Sequence, residues 1–346
     1  MTDSRTPDTT ALPAAPGASA APGPSAPPGA QDWAGYVMVH HDDATHQVHA
    51  MLSDGPDPTT WRALDGGSGI LTSTMGEQGL RDPHLLRSAD GSRFYLIATD
   101  LDIRVTEHPG VTGSFWDWLG RHGSRSINVW ESPDLMTWGP QRQVEVSPPS
   151  AGMAWAPKSV WDPAAEAFLV LWSARLYADD DPDHTGDGVH RLLGAHTTDF
   201  VTFTEPRDHG HPTRSVIDAL VVRDDSTDDA GWVRFVKDEA AGLVFSERSD
   251  DLLAPVWEPV SDSVTAGTET GIVEGPLAFR SFTDGEWYLW VDEYTGADRG
   301  YVPFHASSLT AERWEPVEQY TFPGKIKHGT VLPVTAAEYA RLAERV

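Results

Sequence analysis

The chain has 346 residues, with 25 Lys and Arg against 52 Asp and Glu, so its formal net charge is −27. So acidic a chain repels phosphate backbones and anionic bilayers, which excludes nucleic acid and membrane surfaces as expected partners. The complete lack of Cys excludes a disulfide scaffold, thiolate catalysis and Cys-ligated zinc. Four of the 25 basic residues are Lys, a proportion that reads as codon bias rather than function. Fourteen Trp are more suggestive. Most belong in a core, but a Trp face in an acidic cleft suits the C–H surface of a neutral sugar.

Residues 1–32 are rich in Ala, Pro, Gly and Ser and show no periodicity, so they read as a disordered tail. They lack the basic and apolar regions of a secretory signal, and no apolar run approaches a membrane span, so the expected compartment is the cytoplasm. Residues 33–346 read as one domain. From Gly35 the chain breaks into short runs rich in β-branched and aromatic residues. Examples begin at Gly35, Phe94, Ile127, Phe168, Trp232, Leu243 and Trp287, and Gly, Pro, Asp and Ser bound them. Long helical periodicity is absent until Ala336–Arg345, with Thr335 as its N-cap. The class is all-β.

An internal repeat orders these strands. A strand followed by Ser or Thr, Asp and an aromatic recurs five times, closing on Trp61, Trp138, Phe203, Trp257 and Trp314. After each comes one further run, beginning near Arg81, Trp155, Val216, Val273 and Lys327. Five outer motifs alternating with five inner ones predict five four-stranded blades around an axis, a five-bladed β-propeller. The first outer motif has no inner strand before it, and the last inner motif has no outer strands after it. Joining them completes the last blade, with three strands from 35–64 and the fourth from 328–334.

The first strand of each propeller blade lines the central channel. Corresponding points of the five inner motifs would therefore gather Asp82, Trp155, Asp218, Glu274 and His328 at one mouth. Taken singly, each has an ordinary structural explanation, such as a turn Asp, a core Trp or a bonded His. Asp218 is the exception in kind, since it interrupts the apolar run Val216–Val222. Together, three carboxylates about one axis suit glycoside hydrolysis. One protonates the leaving oxygen, one activates water on the opposite face, and a third raises the pKa of the acid by like-charge repulsion.

At these residues the sequence resembles glycoside hydrolase family 43, five-bladed propeller glycosidases acting on arabinose- and xylose-containing glycans. The resemblance covers about 33–345. It rests on an ordered set: Gly79-LRDPHLLRS, Ser126-INVWES, Trp155-APKSVWD, Val216-IDALVV, Phe235-VKDE, Val273-EGPLAF and Lys327-HGTVLPVT. It implies Asp82 as general base, Asp218 as pKa modulator, Glu274 as general acid and inversion at the anomeric carbon. It implies that His328 helps hold, through water, one calcium or other cation in the central channel. Trp155, Lys158, Lys237, Arg81 and His41 are the expected substrate-binding residues. Two features depart from the pattern: Lys158 stands where relatives often have an acid, and His40-His41-Asp42-Asp43 ends the first strand. Arg81-Asp82-Pro83 also resembles a motif of propellers acting on fructosides, but their Asn-Asp-Pro is missing.

Two long connections, 102–125 with Trp116 and Trp118 and 177–190 with five Asp, are expected to wall a shallow pocket and favour terminal sugars. The expected activity is removal of terminal sugars from small oligosaccharides, foremost as an α-L-arabinofuranosidase. A β-xylosidase, a galactofuranosidase and a non-catalytic glycan- or protein-binding propeller are the alternatives. No oligomeric state follows from the sequence.

Overall fold

The computed structural model describes residues 33–104, 114–224 and 231–346; the expected tail, 1–32, lies outside them. Strands β1 (Trp33–His41), β2 (Val48–Asp54) and β3 (Asp57–Ala63) are followed by β4 (Leu80–Arg87), β5 (Phe94–Asp100) and the short helix α1 (Phe115–His122). Next come β6 (Ser126–Ser132), β7 (Arg142–Glu145), β8 (Trp155–Asp162), β9 (Ala167–Leu176), β10 (Val189–Thr197) and β11 (Arg207–Asp208). The third unit holds β12 (Val216–Asp224), β13 (Gly231–Asp238), β14 (Leu243–Ser249) and β15 (Glu258–Ser261). The fourth holds β16 (Val273–Arg280), β17 (Trp287–Glu293), β18 (Gly300–Ala306) and β19 (Glu315–Pro316), before β20 (Lys327–Thr335) and helix α2 (Ala336–Ala343).

The strands form five antiparallel four-stranded sheets. Four follow the chain order, β4–β7, β8–β11, β12–β15 and β16–β19, and the fifth runs β20-β1-β2-β3. The fold is thus the five-bladed β-propeller expected, with its ring closed by pairing the C-terminal strand to the N-terminal one. The apolar core sits in the seams between blades. Val37, Leu52, Leu85, Leu96 and Trp130 join the closing blade to the first, and Ile97, Val129, Val170, Trp172 and Ala195 join the first to the second. Both faces of a central strand are covered this way, so these strands read as continuous apolar runs rather than alternating ones.

Thr335 caps α2 through a reciprocal pair with Glu338: its backbone N–H donates to Glu338 Oε2 at 2.8 Å, and its hydroxyl accepts from Glu338 N. Arg87, from the first inner strand, holds both oxygens of Glu338, which docks α2 on the ring. Helix α1, within the long connection 102–125, was not read from the sequence. Eight residues with three aromatics carry too weak a periodic signal to be read as a helix, and Ser114 gives no side-chain cap.

Four inner strands begin with the same irregularity. The register slips between Arg81 and His84, Trp155 and Lys158, Ile217 and Leu220, and Glu274 and Leu277. At each slip one residue adopts a left-handed backbone: Asp82 at φ 49°, Ala156 at 49°, Asp218 at 50° and Gly275 at 55°. A non-Gly residue there costs roughly 1–2 kcal/mol, with Asp tolerating it best. This strain sits at the axis, where the bulge turns a side chain out of the sheet and towards the mouth. Gly275 is required in its position, since a Cβ there would come within 2.5 Å of the His328 ring.

Candidate functional site

The channel mouth opens into a cavity of about 550 Å³ lined by residues of all five blades, among them Arg81, Asp82, Trp155, Asp218, Glu274 and His328. Its centre is the His328 ring. Nδ1 lies 2.8 Å from Asp82 Oδ1, while Nε2 lies 3.2 Å from Glu274 Oε1 and 3.3 Å from Asp292 Oδ2. These three carboxylates overcome the burial of the ring and hold it protonated well above the usual His range. Asp82 and Glu274 therefore face each other across one imidazolium.

Asp82 is fixed from three sides. The Thr99 hydroxyl donates to Oδ2 at 2.7 Å, its own N–H donates to His41 Nδ1 at 3.1 Å, and His328 meets Oδ1. Thr99 Oγ1 in turn accepts from Ala156 N at 2.7 Å, tying the first two blades together at the base of the mouth. Burial works against the charge of Asp82, but its contacts with His328 prevail and keep its pKa far below the usual carboxylate range. Glu274 receives the Lys237 ammonium on Oε2 at 2.8 Å, and Lys237 also meets Glu239 at 2.9 Å. His328 and Lys237 together hold Glu274 far below its ordinary pKa despite burial. Asp218 differs. Burial, and then the Glu274 charge, raise it to about 6, against the opposing pull of His328 and Lys237. Its Oδ2 accepts only a longer bond, 3.2 Å, from Gly275 N.

Three corrections to the sequence reading follow. The five residues do not share one repeat phase. Asp82 and Asp218 are the left-handed bulge residues, whereas Trp155 and Glu274 precede them by one, and the bulge brings both kinds to the same mouth. The like-charge effect also runs the other way in this unliganded state: the Glu274 charge raises Asp218, while His328 and Lys237 hold Glu274 low. Finally, Lys158 and His41 do not line the cavity. His41 is completely buried beneath Asp82, and Lys158, two residues past the bulge, points down the channel, where Nζ donates to the Gly329 carbonyl at 3.1 Å.

Arg81, Trp155 and Lys237 do line the cavity. Arg81 is pinned by Asp43, which also meets Lys327 at 3.3 Å. Asp43 was noted only as part of the run His40-His41-Asp42-Asp43, and Glu239, Asp292, Tyr294 and Lys327 were not picked out from sequence. The scarcity of Lys was a usable signal, because Lys158, Lys237 and Lys327, three of the four in the chain, converge on the axis. Codon bias explains the low count but not that placement. Tyr301 was also missed. Its hydroxyl donates to Gly275 O at 2.9 Å and accepts from Gly329 N at 2.8 Å, bolting together the strands that carry Glu274 and His328. Tyr301→Phe leaves Gly329 N–H buried and unpaired, and is expected to cost about 1–3 kcal/mol in urea unfolding; a loss below 0.3 kcal/mol, on the order of a neutral surface change, would contradict that role.

The described parts of the two long connections pack against each other. Helix α1 brings Trp116 edge-on to Trp155, with ring centroids 6.2 Å apart, and both line the cavity. The 177–190 segment braces α1 from behind. Arg121 Nη1 donates to the carbonyls of His184 and Gly186 at 2.7 Å each, and His184 stacks on Tyr177 at 4.4 Å. Trp116 is half exposed, so Trp116→Ala should fold normally. It is expected to raise KM about tenfold with kcat within twofold, because it removes binding common to ground and transition states. Unchanged KM would remove Trp116 from the pocket wall.

A second cleft of about 580 Å³ lies on the outer strands of the second and third blades, around Arg191, Arg207 and His209. It receives no inner-strand carboxylate and is remote from the axis. Among the described residues no helix is long and apolar enough to cross a membrane.

The grouping of Asp218, Glu274 and His328, with one ligand atom from each within 4.8 Å of the others, resembles a metal site. His328 Nδ1 faces Asp82 and its Nε2 faces Glu274 and Asp292, and Nε2 and both Asp292 oxygens are buried without a hydrogen-bond partner among the described residues. Lys237 already supplies a positive charge to Glu274.

A propeller mouth with carboxylates flanking one buried imidazole, beside an aromatic wall, is an arrangement suited to cleaving glycosidic bonds. Residues 31–340 match the family described as "Probable glycosyl hydrolase domain", related to glycoside hydrolase family 43. An α-L-arabinofuranosidase of Bifidobacterium longum subsp. longum is 34% identical over 221 residues, covering 58% of this chain and 20% of that protein's length. A thermostable family-43 glycoside hydrolase structure matches at 20% identity and TM-score 0.49, over 73% of this chain and 76% of that one. The exo-β-1,3-galactanase of Phanerochaete chrysosporium matches at 15% identity and TM-score 0.49, over 75% and 52%. The chain belongs to the glycosyl hydrolase family related to family 43.

Proposed function

We propose that the chain is an inverting glycosidase that removes terminal sugars, with α-L-arabinofuranosyl residues as its substrate. The observation that carries this is the His328-centred mouth, in which Asp82 and Glu274 occupy opposite edges of one ring. Inverting hydrolysis uses carboxyl groups roughly 6.5–9.5 Å apart, leaving room for a water, and the intervening ring keeps these two from touching. Asp82 takes a proton from that water as its oxygen bonds to the anomeric carbon. The glycosidic C–O bond breaks, and the leaving oxygen receives a proton from Glu274. The proton is the one shared by the Asp218–Glu274 pair, passed to Glu274 as the leaving oxygen becomes basic. The wall of Trp116 and Trp155 and the cavity volume suit one or two sugar rings, which supports exo action. The arabinofuranosyl choice follows the name of the Bifidobacterium relative.

The pair must hold its proton to act as an acid. Asp218, raised to about 6, makes that form present below this pH and lost above it, while Asp82 stays ionised throughout. kcat/KM is therefore expected to fall as pH rises through about 6, and a rate climbing steadily from there to pH 8, on the order of tenfold, would contradict the shared-proton assignment. The identity of the sugar is tested by turnover of aryl α-L-arabinofuranoside, β-D-xyloside and β-D-galactofuranoside. The first is expected to be hydrolysed fastest. Hydrolysis of none of them would favour a binding propeller.

A further inference from the structure

The second strand of each blade repeats a position of its own, opposite the residue that precedes the bulge. His41 stands there opposite Lys327, Thr99 opposite Arg81, Ser173 opposite Trp155, Lys237 opposite Ile217 and Asp292 opposite Glu274. Three of these side chains reach across a blade boundary and accept the backbone N–H at the next bulge. His41 Nδ1 takes that of Asp82 at 3.1 Å, Thr99 Oγ1 that of Ala156 at 2.7 Å and Ser173 Oγ that of Asp218 at 2.9 Å. At the other two boundaries the position holds Lys237, whose ammonium cannot accept and is turned to Glu274, and Asp292, which lies 3.3 Å from His328. There the N–H groups of Gly275 and Gly329 go to Asp218 Oδ2 at 3.2 Å and to the Tyr301 hydroxyl at 2.8 Å. Each of the five amides is thus met by a side chain of the preceding blade.

Thr99 and Ser173 are buried, 0% and 1% exposed, and neither lines the cavity. Their bonds fall where the backbone is strained, at Ala156 and Asp218 in the left-handed region. Such a conformation persists only where its surroundings over-determine it. Thr99 does more, because its own O–H holds Asp82 Oδ2 at 2.7 Å. We propose that Thr99 and Ser173 are positioning residues of the site: Ser173 fixes the bulge that turns Asp218 into the mouth, and Thr99 ties Asp82 to the bulge that follows Trp155. The effect on turnover rests on the glycosidase reading; the effect on the amides does not.

The two residues serve different halves of the reaction, so their variants should differ in kind. Ser173→Ala disturbs the Asp218–Glu274 pair and should lower kcat at least about tenfold on an arabinosyl oligosaccharide, with KM within about threefold. The loss should be clearly smaller on the dinitrophenyl glycoside, whose leaving group needs no proton. Thr99→Val, of equal shape, disturbs the base and should slow both substrates alike, by at least about tenfold. Ser173→Thr and Thr99→Ser keep the oxygen and should recover most of the lost activity. Hydrogen exchange followed by NMR reads the amides directly. The Asp218 N–H in Ser173→Ala and the Ala156 N–H in Thr99→Val should exchange at least about tenfold faster than in wild type, while the Gly329 N–H, held by Tyr301, keeps its rate. Wild-type exchange at both amides would overturn the proposal even if no substrate is turned over. Wild-type kcat in both hydroxyl-free variants, or hydroxyl-keeping variants as slow as these, would overturn it as well. The two positions are tested separately, so one variant that fails to fold leaves the other decisive.

Discussion

Replacing Glu274 by Gln is expected to lower kcat by about 10²–10⁴-fold on an arabinosyl oligosaccharide, the range that positioned acid catalysis supplies. The loss should depend on the leaving group. A dinitrophenolate departs without a proton, so the dinitrophenyl glycoside should lose far less than the natural linkage. This asymmetry separates an acid from a residue that merely shapes the mouth, because a distorted site would slow both substrates together. The substitution keeps the size of the side chain, and Lys237 retains Glu239 at 2.9 Å, so the fold should persist. Equal losses on both substrates, or unchanged activity, would remove Glu274 from the acid role.

Replacing Asp82 by Asn should lower kcat by a similar or larger factor, about 10³–10⁴-fold, with no sparing by a good leaving group. Asn can still accept from Thr99, so the bulge geometry survives while the base is lost. Azide needs no deprotonation and fits the water's place. It should restore turnover and yield a glycosyl azide of inverted configuration, its nitrogen taking the position of the water oxygen. Residual activity above about a tenth of wild type, or an azide product of retained configuration, would contradict the assignment of Asp82.

The architecture was legible because the propeller writes its repeat into the chain. Trp61, Trp138, Phe203, Trp257 and Trp314 mark one outer edge per blade, and the unmatched motifs at each end call for the β20–β1 closure that is observed. The mouth was legible because bulges in successive inner strands return chemically distinct residues to one axis. What escaped has physical causes. Asp292 lies near the end of β17, a buried second strand whose apolar run leads into the acids Asp292 and Glu293, although it sits 3.3 Å from His328. Helix α1 owes its position to Asp117, held by Arg175 at 2.6 Å, a tertiary contact with no local signal. Lys158 and His41 were assigned to the substrate because a linear motif gives no depth. One residue of phase decides whether a side chain faces the cavity or the channel beneath it. Which of Asp218 and Glu274 holds the proton depends on Lys237, from the strand beside Asp218, and on His328, from the closing blade.

The central claim, that Asp82 and Glu274 act from opposite sides of the anomeric carbon, is tested most directly by proton NMR of the first sugar released. From an α-L-arabinofuranoside the initial product should be the β-anomer, appearing before mutarotation mixes the two. Initial release of the α-anomer would mean retention through a covalent intermediate and would contradict the account.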